Sequence, residues 1–249
     1  GSYCHNGFVP HNVVMFGGDL VVADKDNHRL SVVDVNTSSV IKTYGSYGTN
    51  KNELRFPRGL VVYGKELLVC DSYNNRIVFL DGGYKTSNIL NLKKSPKSIF
   101  VLENVLYVLC EDGMTIDSYN VKSFEVLKSF SLKHHAEQIT GINSMIIGSG
   151  SGTVSIIDIG SGSYETKKDI SDALSLNTLE DKIYALFNDK IAIYDKDFNK
   201  SSEFSIKQSG KYLYPVKSGI YVADEERALV YFYKDGKKAA TYGKGKKAV

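Results

Sequence analysis

Tryptophan is absent from the 249 residues, and cysteine, methionine, proline and histidine are scarce, with three, three, four and five copies. The cysteines, Cys4, Cys70 and Cys110, are odd in number and lack metal-ligand spacing, which argues against a disulfide framework and against a zinc site. Cys70 and Cys110 lie inside apolar runs and are expected as small core residues, and a reducing, cytoplasmic or other intracellular setting is the matching expectation. No apolar run approaches the roughly 20 residues of a membrane helix, so no membrane insertion is expected. No charged segment followed by an apolar one opens the chain as a secretory signal would. Gly1-Ser2 has the form of a dipeptide left by a cleaved tag, so the chain is read as a piece of a longer protein. The triplets beginning at Asn36 and Asn199 fit the glycosylation pattern, but such triplets arise readily by chance in a chain this rich in Ser and Asn.

Charge of one sign is also scarce once its position is considered. The formal net charge is +3, and the segment 234–249 holds six Lys against one Asp, which leaves the rest of the chain close to neutral, at about −2. A globally basic nucleic-acid binder is thereby disfavoured, and the terminal lysines read as a solvated tail.

Helical periodicity is nearly missing. Apolar residues come instead in β-branched and aromatic runs of four to seven, bounded by Gly, Asn, Asp and Ser. The runs LVVA (20–23), LLVC (67–70), LYVL (106–109), MIIG (145–148), IYAL (183–186) and IYVA (220–223) recur at spacings of 47, 39, 39, 38 and 37 residues. Each has a strand-like run before it and two after it. Four strands per roughly forty residues is the size of a propeller blade, so the pattern predicts an all-β, six-bladed β-propeller of four-stranded antiparallel blades. The blades are placed at about 8–48, 55–92, 95–132, 136–171, 172–207 and 210–243, with a basic tail at 244–249. GFVPHNVV (7–14) starts the first blade and ATYGKG (240–245) ends the sixth, so the ring is expected to close by packing of blade 6 on blade 1 without strand exchange, as a monomer.

The WD40 pattern is missing along with its tryptophan. FPRGLVV (56–62), VVADKDNHRL (21–30), VCDSYNNRI (69–77) and KTYGSYG (42–48) instead resemble the NHL-repeat family, with its Pro-x-Gly start to the first strand, its VAD and NHR motifs around the second turn and its closing FG. The resemblance is strong in blades 1, 2 and 6. In blades 3 to 5 the repeated Asp gives way to Cys110, Ser149 and Phe187. Because Asp24 and Arg29 recur as Asp71 and Arg76 at the same internal spacing, with Asp224 at the corresponding place in blade 6, they are assigned to structure: carboxylates that pin the second turn through an Arg fork or backbone amides.

Chemistry was sought first at the channel mouth, where alignment of the blades brings His11, Arg58, Lys97, Glu137, Leu174 and Lys211 together. One carboxylate among cations makes a poor calcium site. The adjacent His134 and His135 would point to opposite sides of an extended link, so no metal and no cofactor is expected. GSGSG (148–152) leads into a strand rather than a helix and reads as a hairpin turn, not a nucleophile elbow or a phosphate loop. No catalytic residue is assigned. What remains is a surface: the links into blades 2 and 3 are basic, with Phe56 and Tyr73 nearby, while the DISD (169–172) and DEER (224–227) segments are acidic. Such a bipolar rim suits a protein partner, with Arg58, Lys97, Phe56 and Tyr73 as the leading contacts. The resemblance adds single-stranded RNA on the basic side as an alternative, and metal-dependent hydrolases or lyases of the six-bladed type as a second.

Overall fold

A computed structural model describes residues 8–208 and 210–245. Cys4, His5 and the end of the basic tail lie outside them. Six sheets follow one another along the chain, each made of four consecutive antiparallel strands, and together they form a six-bladed β-propeller. Blade 1 runs through Pro10–Phe16, Asp19–Asp24, Arg29–Asp34 and Ser39–Tyr44. The innermost strands of the other blades are Pro57–Tyr63, Pro96–Leu102, Gln138–Ile142, Ser175–Leu179 and Tyr212–Val216. Each innermost strand neighbours the next around the axis, and the sixth neighbours the first. Among the described residues, no helix is long and apolar enough to cross a membrane.

The second strand of each blade explains why the repeat reads as unbroken apolar runs. Successive side chains of a strand point to opposite faces, and here both faces are covered. Val21 and Ala23 join the layer between blades 1 and 2, whereas Leu20 and Val22 join the layer between blades 6 and 1. Leu67 and Val69 likewise face blade 1, and Leu68 and Cys70 face blade 3. Six apolar layers result, one between each adjacent pair of blades. Cys70 and Cys110 are buried within this packing as free thiols, and burial pushes the Cys110 thiol up to about 12.

The glycine of the Pro-x-Gly motif in blade 2 has a packing cause. A β-carbon on Gly59 would come within 2.9 Å of Cys70 Sγ and 3.1 Å of Ser98 Cα, so blades 2 and 3 approach closely only because that atom is missing.

The two faces of the disc use different turns. On the face opposite the second turns, five blades end their third strand with a carboxylate or amide that caps the next turn. Asp34 accepts from the Asn36 and Thr37 N–H groups, Asp81 from Gly83 and Lys85, Asn120 from Lys122 and Ser123, Asp158 from Ser161, and Asp195 from Asp197 and Asn199. These Asx turns hold the carboxyls of Asp81, Asp158 and Asp195 below the usual carboxylate range.

The outer edges also have a rule. In blades 1, 2, 3, 5 and 6 the pairing of the third with the outer strand shifts register by a β-bulge. Blade 4 has no bulge, but its outer strand is only Tyr164–Thr166, and a 3-10 turn at Lys168–Ile170 takes over.

Blade 6 packs directly on blade 1 to close the ring. Beside the layer between blades 6 and 1, Glu225 of blade 6 meets Lys25 Nζ at 2.8 Å and His11 Nδ1 at 3.5 Å, both from blade 1. The His11 ring and the Lys25 ammonium hold the Glu225 carboxyl down to about 2. Because this pKa is depressed in the folded state, the stabilisation is complete above the unfolded value and lost as pH falls through the folded one. Glu225→Gln should therefore cost about 1–2 kcal/mol at neutral pH, read by urea unfolding, and the difference from wild type should vanish as the pH approaches about 2.

Candidate interaction face

The repeated Asp and Arg residues sit where the second turn meets the incoming link. Asp24, fully buried, accepts from Arg29 Nε at 2.8 Å, Asn27 Nδ2 at 2.7 Å and the Val9 N–H at 2.8 Å. In blade 2 the set recurs: Asp71 accepts from Arg76 Nε at 2.6 Å, Asn74 Nδ2 at 2.8 Å and the Arg55 N–H at 2.6 Å. Burial pushes the Asp71 carboxyl up, and these donors pull it back toward the ionised form that the Arg fork requires. In blade 6, Asp224 takes both the Arg227 N–H and its guanidinium, and also the Tyr231 hydroxyl.

Arg76 does more than pin its own turn. Its remaining N–H groups donate to the carbonyls of Thr49, Asn50 and Glu53, so one side chain holds the long link between blades 1 and 2. That link is what stretches the first repeat to 47 residues. It carries Tyr47, Arg55 and Phe56.

The cations chosen from the sequence are not open to a ligand in the way their positions suggested. Arg58 pairs with Glu111 from the second turn of blade 3, and Lys97 with Glu137 at 2.9 Å. Glu137 also lies 3.4 Å from His135 Nδ1. Lys211 contributes backbone: its carbonyl accepts from Gln138 Nε2 at 2.8 Å, a bond from blade 4 to blade 6 over the mouth of the channel. The predicted charge division of the rim is thus largely neutralised by pairs between blades.

The aromatic residues, by contrast, come together and recruit two that sequence reasoning left out. Tyr47, His28, Phe56 and Tyr73 form a row with successive ring centroids 4.9, 4.4 and 4.6 Å apart. Arg55 lies over the Tyr47 ring at 5.5 Å and Arg58 over the Tyr73 ring at 5.8 Å, so a guanidinium stands at each end. Tyr47 is 63% and Tyr73 48% exposed. At the centre, Phe56 has φ of 54°, a left-handed conformation rare for an aromatic residue. Its N–H donates to His28 Nδ1 at 3.2 Å. The acceptor role requires a neutral ring carrying its proton on Nε2, and burial lowers the His28 pKa.

Concave features lie elsewhere. The channel holds a cavity of about 190 Å³ with an apolar wall from Val61, Ile99 and Phe100 and a polar wall from Thr140, Asn177 and Tyr212. A wide groove of about 720 Å³ lies beside the short outer strand of blade 4, lined by Phe187, Tyr194 and Phe198 with Asp169, Asp172 and Asp189. Among the described residues, no group of three His, Cys, Asp or Glu is arranged to hold a metal. His134 bonds the Tyr164 hydroxyl and His135 the Ser151 hydroxyl, so the two rings have separate partners. Ser151 and Gly152 both take positive φ in the blade 4 hairpin.

Fold and site together define a six-bladed propeller with a structured loop face. No protein-family model matches the chain, and no curated protein matches it. Solved structures do. Hydrazine synthase of Kuenenia stuttgartiensis is similar with a TM-score of 0.63 at 15% identity, over 94% of this chain and 79% of the other. Hsv2 of Kluyveromyces lactis gives 0.55 at 11%, over 89% and 74%, and BamB of Moraxella catarrhalis 0.54 at 14%, over 86% and 69%. At such identities the likeness shows the fold alone.

Two outcomes follow from this geometry. Arg76→Ala should destabilise by about 3–5 kcal/mol, because it strands the buried Asp71 carboxylate and frees the link; urea unfolding reads the loss. The second concerns pH. His28 has a lowered folded pKa, so its neutral form stabilises the fold above the unfolded value of about 6.5, and that contribution is lost as pH falls through the folded value. Asn75 occupies the equivalent left-handed position in blade 2, so His28→Asn should preserve the turn. The variant should lose less stability than wild type between about pH 7 and 5, as measured by unfolding at both values.

Proposed function

We propose that this chain is a non-catalytic interaction propeller of the NHL type that binds a protein partner through the loop face around blades 1 to 3. The observation that carries the reading is the row of Tyr47, His28, Phe56 and Tyr73, two of whose members leave about half or more of their surface to solvent. Aromatic and Arg residues held by a rigid scaffold are the residue types that dominate protein interfaces. The Asp–Asn–Arg pins of blades 1 and 2 support the NHL assignment. Glu225, Glu111 and Glu137 of the face are engaged in pairs with neighbouring blades, which supports binding rather than catalysis. Free thiols at Cys70 and Cys110 accord with an intracellular setting.

Single-stranded RNA on the same side is less well supported, because Arg58 and Lys97 already answer to Glu111 and Glu137 and a phosphate chain would meet those carboxylates. Tyr47→Ala with Tyr73→Ala should weaken binding of a partner recovered with the wild-type protein by roughly tenfold or more, with the melting temperature unchanged. Lys65→Glu, on the opposite face, should leave affinity intact; equal loss in both variants would refute the loop-face site.

A further inference from the structure

The aromatic row has unlike ends. Arg58, at the Tyr73 end, is neutralised by Glu111. Arg55, at the Tyr47 end, has no carboxylate partner among the described residues, although its backbone N–H is spent on the Asp71 pin. The pin fixes where the residue starts and the Tyr47 ring supports its guanidinium at 5.5 Å. A planar fork of donors is therefore held in place with no internal acceptor for its charge. Its buried Nε has no hydrogen-bond partner.

We propose that this row is the docking site of an extended protein segment that places a carboxylate on Arg55 and an apolar residue, aromatic or proline, against Tyr47 and Tyr73. The proposal rests on the loop-face reading above and names the chemistry of its partner. Charge complementarity selects the acid: one unpaired guanidinium at a fixed position fits one carboxylate, bidentate through the fork. Ring geometry selects a peptide over a nucleic acid. His28 meets Tyr47 at an interplanar angle of 64° and Phe56 at 89°, and Phe56 meets Tyr73 at 45°, so the ring planes turn from one to the next and do not offer parallel platforms for successive stacked bases. Arg58, Lys97 and Lys25 on the same face are already engaged by Glu111, Glu137 and Glu225 and are not open to a second and third phosphate, whereas a peptide carrying a single acid needs only Arg55.

The test is a selection from a randomised 12-residue peptide library displayed on phage, followed by fluorescence anisotropy with the selected peptide and, in parallel, with a 12-nucleotide oligouridine. Selected peptides should share an Asp or Glu next to Phe, Tyr, Trp or Pro. Arg55→Glu should reduce affinity about tenfold or more, and a charge-swapped peptide with Lys in place of its acid should recover binding to that variant. Tyr73→Ala should also weaken binding, Lys65→Glu should not, and the salt dependence should be that of one ion pair. A consensus without an acid, or one indifferent to Arg55→Glu yet lost with Tyr73→Ala, overturns the proposal while the loop-face reading survives. A consensus indifferent to every loop-face substitution overturns both, and oligouridine binding that exceeds the peptide's and falls steeply with salt replaces the protein partner with RNA.

Discussion

Everything in this molecule depends on a second strand that is apolar on both sides. An ordinary antiparallel sheet has one wet face, but here Leu20, Val21, Val22 and Ala23 are all excluded from water because neighbouring blades cover both. A sheet of this kind cannot be stable alone. Each blade supplies half of two layers, so a lone blade leaves both faces bare, and the last layer, between blades 6 and 1, is made by residues some two hundred positions apart in the chain. Among the described residues, this seam is held by apolar packing and by Glu225 between Lys25 and His11.

The same constraint explains how much was legible in the sequence. Doubly buried strands produce short apolar runs at regular spacing, so the six blades could be counted even where the Asp–Asn–Arg motif had gone. The turns opposite the loop face were equally legible and were overlooked: Asp34, Asp81, Asn120, Asp158 and Asp195 each end a third strand, and the repeat is as regular there in blades 3 to 5 as elsewhere. Pairing between blades was not legible. Arg58 and Glu111 are 53 residues apart, and nothing local marks them as partners, so Arg58 and Lys97 read as free cations. Phe56 and Tyr73 could be picked out as aromatics near a basic link, but His28 and Tyr47 join them only because the Arg76 fork folds the 45–56 link back over blade 1.

The two faces of the disc are built differently. One is built from a repeated part, a carboxylate or amide closing each turn on its own backbone. The other sets unique parts, a long link, an aromatic row and unlike ion pairs, on the recurring Asp–Asn–Arg pins of blades 1 and 2. Under the proposed function, the residues that change from blade to blade would be the ones a partner reads, while those that recur hold the turns.

The bulges of the outer strands and the three-residue strand of blade 4 have a meaning beyond their own blades. A six-bladed disc presents six sheet edges to its surroundings, each a row of backbone donors and acceptors able to template a further strand. With exposed Val40, Ile41, Val126 and Leu127 on two of these edges, growth from one disc to the next would otherwise be favourable. An extra residue at the same rung twists an edge out of line, and a three-residue strand offers too little ladder to extend. The perimeter of the disc is thus a poor template for a further strand.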